Sequence, residues 1–397
     1  MKNVYVGMSG GVDSSLSAAL LKEQGYNVTG VYMKNWTEDL PGMKCPWADD
    51  LADAKRVAVQ LGIDFKVFDF EKEYKHKVVD YMIEEYKLGR TPNPDIMCNQ
   101  EVKFKLFLEA ALEDGADMIA TGHYGRVEPK EKLRFDTKHA SLHRDASQTA
   151  DTFYSAPALK LSPEGEKSLN KSISGSLDTG SLRMAIDTNK DQTYFLYRVT
   201  GEALAKTLFP LGEFTKPQVR EMAKERGLFT AAKKDSQGIC FVGKVGIRDF
   251  LSQYVEQKPG DIIDKRTGKV LGRHDGAIFY TLGQRHGLEV GGGLPYYVVG
   301  KSMDKNEVYV STDLNDETLW KKSVTLNNVH WINQKPAEGT YKIRVRHRAP
   351  LVDAMLAYGA DGEVELLVKD DQRAVAGGQS VVIYSGDECL GGGIVAL

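Results

Sequence analysis

The sequence predicts an α/β protein: an N-terminal doubly wound parallel sheet, then a small, mostly β central domain and a C-terminal β-barrel. Three observations predict it. Short apolar runs alternate with helical patterns as far as Gly122-His123, the βαβα order of a parallel sheet covered on both faces. Past Lys244 the helical period gives way, after one further helix, to short strands punctuated by glycine. The length, 397 residues, exceeds what one core holds, so two or three domains are expected.

In order, Val4–Met8 is a strand, and Ser14–Gln24 a helix with Leu16, Leu20 and Leu21 as its apolar positions. Val28–Met33 and Phe65–Phe70 are strands on either side of a helix at Asp49–Leu61. Helices at Glu73–Leu88 and Phe104–Leu112 precede the short strand Met118–Thr121. Ligands of such sheets bind beyond the carboxyl ends of the strands, so the segment after Val4–Met8, Met33 and Gly122-His123 are expected to line one cleft. Val127–Met184, rich in Ser, Lys and Thr, reads as an insertion, partly disordered, with room for a short hairpin. Helices return at Gly201–Thr207 and Lys216–Arg226, the second capped by Thr215, with Pro217 at its start and Gly227 at its end. After a helix at Ile247–Tyr254, strands are expected at Gly276–Thr281, Tyr296–Gly300, Val308–Ser311, Val324–Trp331, Gly339–Val345, Glu363–Val368, Ser380–Tyr384 and Gly392–Val395. The expected domains are 1–244 (with the insertion 127–184), 245–315 and 316–397.

With 42% hydrophobic and 27% charged residues, no apolar run of spanning length and no leader pattern at Met1-Lys2-Asn3, a cytoplasmic protein is expected. A net charge of −3 does not announce a nucleic-acid binder, so any RNA site must be a local basic patch. If Lys342–Arg348 is a strand, Lys342, Arg344, Arg346 and Arg348 share one face; a charge-guarded edge strand has the same pattern. The four cysteines Cys45, Cys98, Cys240 and Cys389 show no Cys-x-x-Cys spacing, and no metal site is read from them.

Ser9-Gly10-Gly11-Val12-Asp13-Ser14-Ser15 carries the most chemistry. A strand runs through a glycine turn into a helix, so backbone N–H groups and the helix dipole converge on one anion site. Ser9, Ser14 and Ser15 would add hydroxyl donors. The Gly-Lys-Ser/Thr ending of a Walker loop and the Gly-x-Gly-x-x-Gly dinucleotide turn are both absent. The loop resembles that of the PP-loop ATP pyrophosphatases, which cleave ATP between its α and β phosphates and place AMP on a substrate oxygen.

Two further segments hold cysteines. Thr91-Pro92-Asn93-Pro94-Asp95-Ile96-Met97-Cys98-Asn99 is stiffened by two prolines. Asp95 there is an acid–base candidate or a plain helix cap, and a thiol in a helix's first turns is a better nucleophile. In Asp235-Ser236-Gln237-Gly238-Ile239-Cys240-Phe241, Lys233 and Lys234 would favour a thiolate, although a cysteine between Ile and Phe also fits a buried strand. Lys190-Asp191-Gln192 leads into the aromatic run Thr193–Leu196, with Asp191 a candidate cap.

Together with Met33–Trp36, Thr121–Tyr124 and Thr281–Leu288, these segments resemble, in order and over nearly the whole chain, the motifs of the tRNA-specific 2-thiouridylase family. The resemblance implies ATP- and Mg²⁺-dependent 2-thiolation of the wobble uridine of tRNAs for Lys, Glu and Gln, with a persulfide donor (a cysteine desulfurase or a sulfur-relay protein) as partner. It implies that Gly7, Met8, Ser9, Gly10, Gly11, Val12, Asp13, Ser14, Met33 and Gly122 hold ATP and that Asn93, Pro94 and Asp95 face the target base. Cys98 would be the nucleophile and Cys240 the persulfide carrier, the two pairing in a transient disulfide, with Asp95 as general acid or base. His123, Lys190, Asp191, Gln192, Arg346, His347 and Gln379 would contact the anticodon stem-loop; the family often has an aromatic residue where this chain has His347. Competing readings are a PP-loop amidating ligase, an iron–sulfur-dependent RNA thiolase and a non-enzymatic tRNA-binding protein.

Overall fold

The computed structural model describes residues 1–39, 45, 47–130, 178–234, 246–291, 293–359 and 362–396. Strands β1 (Asn3–Gly7), β2 (Asn27–Lys34), β3 (Asp64–Asp69) and β4 (Met118–Thr121) form a parallel sheet in the order β3-β2-β1-β4. Consecutive residues of β1 face opposite ways. Val4 and Val6 pack with Ala18 and Leu21 of α1 (Val12–Glu23) and with Ala54 and Val57 of α2 (Trp47–Leu61). Tyr5 and Val31 instead join Tyr74, Val78, Val79 and Phe107, from the helical runs 71–87 and 94–113. The sheet is therefore wound on both faces, and its inner strands β1 and β2 are apolar because both their faces are covered, while edge strand β3 stays partly exposed.

Both of those helical runs contain π-helical segments, at Lys75–Asp80 and Cys98–Leu106. Such widened turns recur at functional sites.

The borders of the insertion are strands: β5 (Arg126–Lys130) pairs antiparallel with β6 (Thr179–Arg183). Residues 131–177, the stretch expected to be partly disordered, lie outside the described residues. β7 (Thr207–Leu208) completes the parallel sheet beside β4 and shortens the expected helix to Gly201–Ala205.

The central sheet is mixed. β8 (Gly260–Asp264), β9 (Val270–His274), β10 (Tyr297–Ser302) and β11 (Glu307–Ser311) lie in the order β10-β11-β8-β9. Its core holds Ile262, Val298, Val308 and Val310. The strand expected at Gly276–Thr281 is instead a short 3₁₀ turn, Ala277–Phe279, entered through Gly276 at φ +152°.

The C-terminal strands are β12 (Trp320–Trp331), β13 (Gly339–Arg344), β14 (Val352–Tyr358), β15 (Val364–Arg373), β16 (Ser380–Ser385) and β17 (Glu388–Val395). They run in the order β12-β15-β14-β13-β16-β17, and β12 also pairs with β17, closing a six-stranded barrel around Leu326, Ile343, Leu356, Leu366, Val381 and Ile383. β6 pairs with β17 as well, at Cys389↔Leu182 and Glu388↔Arg183, so the arms of the insertion join the sheet of the barrel.

Candidate active site

The segment Ser9–Ser15 leaves β1 and enters α1 at the carboxyl edge of the parallel sheet. Gly10 has φ +71°, and a Cβ there would lie 2.5 Å from the Asp50 carbonyl oxygen, so the turn takes only glycine. Ser14 Oγ accepts from the Ser9 N–H at 3.2 Å and lies 3.4 Å from Ser9 Oγ, which draws these two hydroxyls together across the turn. Ser15 is not a third donor: it is fully buried and its hydroxyl donates to the Gly11 carbonyl at 2.7 Å.

The turn opens on a cavity of about 250 Å³. Of the residues expected to hold ATP, Gly7, Met8, Ser9, Asp13, Ser14, Met33 and Gly122 line it, and His123 and Gln192 join them. Gly10, Gly11 and Val12, also expected to hold ATP, are not among its lining residues. At the end of β4, Gly122 presses against the first turn of α1: a Cβ there would come within 2.8 Å of Ser14 N and 2.9 Å of the Asp13 carbonyl carbon. The His123 ring lies against Phe104 and Phe209, with Nδ1 2.7 Å from Thr121 Oγ1. Burial, assisted by the charge of Lys103, holds His123 well below its usual pKa, so the ring is neutral at pH 7.

Asp13 is not aimed freely at a ligand. Lys216 Nζ lies 2.6 and 2.8 Å from its two oxygens, and the Tyr124 hydroxyl donates to it at 2.9 Å. In the sequence Lys216 marks only a helix start. Lys103, Trp36, Trp47, Asp50 and Cys45 also line the cavity, and none was assigned to it from sequence. Only Trp36, inside the Met33–Trp36 stretch, carried a signal. Burial pushes the Cys45 thiol up, which makes it a poor nucleophile.

In the proline segment the helix cap is Asn93, not Asp95: its side chain accepts from the N–H groups of Asp95 and Ile96 at 3.0 and 3.3 Å. Pro94–Met97 forms one helical turn, and Cys98, 1% exposed, opens the π-helical segment. Next to it Asn99 Nδ2 donates to the Phe195 carbonyl at 3.0 Å. Phe195 in turn stacks on His347, with ring centroids 4.4 Å apart. The turn before β16 docks on the same segment, the Thr91 N–H donating to the Gly377 carbonyl at 2.9 Å. The barrel thus brings His347 and Gln379 beside the Thr91–Asn99 segment.

The triplet Lys190-Asp191-Gln192 divides. Gln192 exchanges two 2.8 Å hydrogen bonds with the backbone of Tyr124. Asp191 is 1% exposed and accepts from Ala185 N, Thr193 Oγ1 and Arg344 Nη1, so no RNA reaches its carboxylate in this structure. The expected basic face does not form. Strand β13 stops at Arg344, which is buried; Lys342 pairs with Asp353 at 2.7 Å, and Arg348 has φ +62°. Arg346 is exposed and donates to the Arg373 carbonyl.

Cys240 lies outside the described residues with the rest of Asp235–Phe241. Among the described cysteines Cys45, Cys98 and Cys389 none is joined to another, so a disulfide has no support there. No group of three or more His, Cys, Asp or Glu is placed for a metal, and no helix is long and apolar enough to cross a membrane, among the described residues.

Over 400 residues the chain is 44% identical to the tRNA-specific 2-thiouridylase MnmA of Bacillus subtilis (strain 168), in an alignment spanning 99% of this chain and 94% of that protein. The chain belongs to the tRNA-specific 2-thiouridylase family. The MnmA of Bacillus cereus (strain ATCC 10987 / NRS 248) is 43% identical over 395 residues, again covering 99% and 94%. Family profiles match in three blocks: "tRNA methyl transferase HUP domain" at 2–160 and 170–244, "tRNA methyl transferase PRC-barrel domain" at 248–312, and "Aminomethyltransferase beta-barrel domain" at 321–395. The profile descriptions speak of methyl transfer; the full-length relatives decide for 2-thiolation. As a 2-thiouridylase the protein is an ATP-dependent sulfurtransferase.

Proposed function

We propose that this protein thiolates C2 of the wobble uridine in tRNAs for Lys, Glu and Gln, in the cytoplasm, using ATP and a persulfide. The observation that carries the reading is the convergence of the glycine turn, Met33 and Gly122 on one cavity at the carboxyl edge of the sheet. The turn's N–H groups and the Ser9 and Ser14 hydroxyls take the β and γ phosphates, leaving the α-phosphate exposed to an incoming oxygen. Uracil O2 attacks that phosphorus, pyrophosphate departs, and C2 now carries AMP, a leaving group that the bare carbonyl lacks.

Mg²⁺ fits the site as a companion of the nucleotide. Of the two carboxylates that line the cavity, Asp13 is held by Lys216 and Asp50 by Lys233, so phosphate oxygens and water would supply most of its shell. Bound there, it would offset charge on the departing pyrophosphate.

Sulfur arrives as a persulfide on Cys240, loaded by a cysteine desulfurase or a relay protein. Its terminal sulfur bonds to C2 and AMP leaves with O2. Cys98 attacks the inner sulfur, so a transient Cys98–Cys240 disulfide forms and the sulfur is released to the base. Attack by the persulfide itself and attack by hydrosulfide freed by Cys98 give the same products. Asn93, Pro94 and Asp95 face the uracil, with Asp95 moving the proton. Lys190, Arg346, His347 and Gln379 hold the anticodon stem-loop around the Thr91–Asn99 segment. His123, Asp191 and Gln192 support that surface from within.

The reading is tested by incubating tRNA lacking 2-thiouridine with enzyme, ATP, Mg²⁺ and a persulfide donor, then measuring AMP and 2-thiouridine by mass spectrometry. Wild type gives both products. Cys98→Ser and Cys240→Ser still release pyrophosphate from ATP but give no 2-thiouridine. Full thiolation by both variants refutes the sulfur route, and no AMP from wild type refutes the adenylation.

A further inference from the structure

We propose that Lys216 is a positioning residue for the nucleotide loop, acting through Asp13. The proposal rests on the cavity beside Ser9–Ser15 being the ATP site.

Asp13 opens the first turn of α1 and lines the cavity, with a third of its side chain exposed there. An unmatched carboxylate in that place would repel the triphosphate the loop is built to receive. Lys216 cancels the charge. Its side chain is a tenth exposed, and its ammonium lies 2.6 and 2.8 Å from the two carboxylate oxygens. It is also fixed from its other end. Its backbone N–H donates to Asp187 Oδ2 at 2.8 Å, and it is the first residue of the helix Lys216–Glu225. That helix start is locked by a reciprocal capping box between Thr215 and Gln218. The Tyr124 hydroxyl, 2.9 Å from Asp13 Oδ1, completes the clamp from the chain that follows Gly122. One buried cation, brought from more than two hundred residues away in sequence, thus both orients the first turn of α1 and makes an acidic residue tolerable in an anion site.

A lysine that merely held the fold would affect ATP affinity through stability alone; one that acts through Asp13 affects it only while Asp13 is charged. Binding of ATP with Mg²⁺ is followed by the fluorescence of Trp36 and Trp47, which line the cavity. The proteins are wild type, Lys216→Met, Asp13→Asn and the double variant, at a temperature where thermal unfolding shows all four folded. Lys216→Met is expected to weaken ATP by about tenfold, the order of one unit charge a few ångströms from a phosphate in a half-solvated cleft. In the Asp13→Asn background the same substitution costs less than about threefold, because the carboxylate through which it orients the first turn of α1 is gone. Equal losses in both backgrounds, or none in either, overturn the proposal and leave the nucleotide site standing. Failure of wild type to bind ATP overturns the site and the proposal together.

Discussion

Arg344 of the barrel and Asp191 of the catalytic domain meet at 2.8 Å in the interior, with side chains 7% and 0% exposed. The pair is packed under the Tyr384 ring, whose centroid lies 5.5 Å from the guanidinium, and Tyr384 OH lies 3.2 Å from Thr193 Oγ1. Removing one partner of a buried pair strands the other charge. Arg344→Met is therefore expected to destabilise the protein by about 3–5 kcal/mol. A thermal midpoint close to that of wild type would show that the pair does not hold the barrel in place.

His347 is predicted to act as a neutral ring. Burial first, then the charges of Arg348 and Arg344, lower it to about 4. In the unfolded chain a histidine takes its proton near 6.5, so between about pH 6.5 and 4 the unfolded state binds more protons than the folded one. The stability linked to His347 is fully present above that window and is lost as pH falls through it. The thermal midpoint of wild type should fall more steeply between pH 6.5 and 4 than that of His347→Phe. Near pH 7.5, His347→Phe should keep tRNA affinity, while His347→Ala should lose roughly tenfold, the order of one aromatic stack. A wild-type affinity that rises steeply as pH drops from 8 to 6, and does not in His347→Phe, would contradict a neutral ring.

The glycine turn between β1 and α1 was legible in the sequence because its information is local. Gly10, Gly11 and Ser14 sit within one turn, and the strand and helix on either side carry their own periodicities. Lys216 was not legible, because its partner Asp13 lies across the fold and nothing around Thr215-Lys216-Pro217 marks more than a helix start. Arg344 failed for a related reason. Counting alternate positions placed it on an exposed basic face, but β13 ends there and the residue turns inward to Asp191. β14 escaped notice because Ala354, Met355 and Ala357 blur its alternation, Met355 facing solvent. The short β7 exists only because β4 offers it an edge.

Gly122→Ala tests the seat of the loop. The new methyl would meet Ser14 N and the Asp13 backbone at under 3 Å, and neither can give way without moving the first turn of α1. A displacement near 1 Å at a reacting centre costs about a hundredfold in rate. AMP formation should fall by that order with the thermal midpoint little changed. Unimpaired AMP formation would show that β4 does not set the loop.

Gly378→Ala tests the docking of the barrel on the cysteine segment. Gly378 has φ +85°, and a Cβ there would lie 2.6 Å from Arg90 Cβ and 2.8 Å from Thr91 N. The substitution is doubly strained, by backbone conformation and by contact with the chain that leads into Pro92 and Asn93. The turn carrying Gln379 must lift from Thr91 and break its hydrogen bond to Gly377. The cavity beside Ser9–Ser15, where ATP is proposed to bind, includes no residue of that turn, so ATP binding should be unchanged. Formation of 2-thiouridine should drop at least tenfold, because the base and Cys98 are no longer held by the same surface. Equal loss of ATP binding and thiolation would mean the damage is global, and unchanged thiolation would mean that the barrel turn does not shape the Thr91–Asn99 segment.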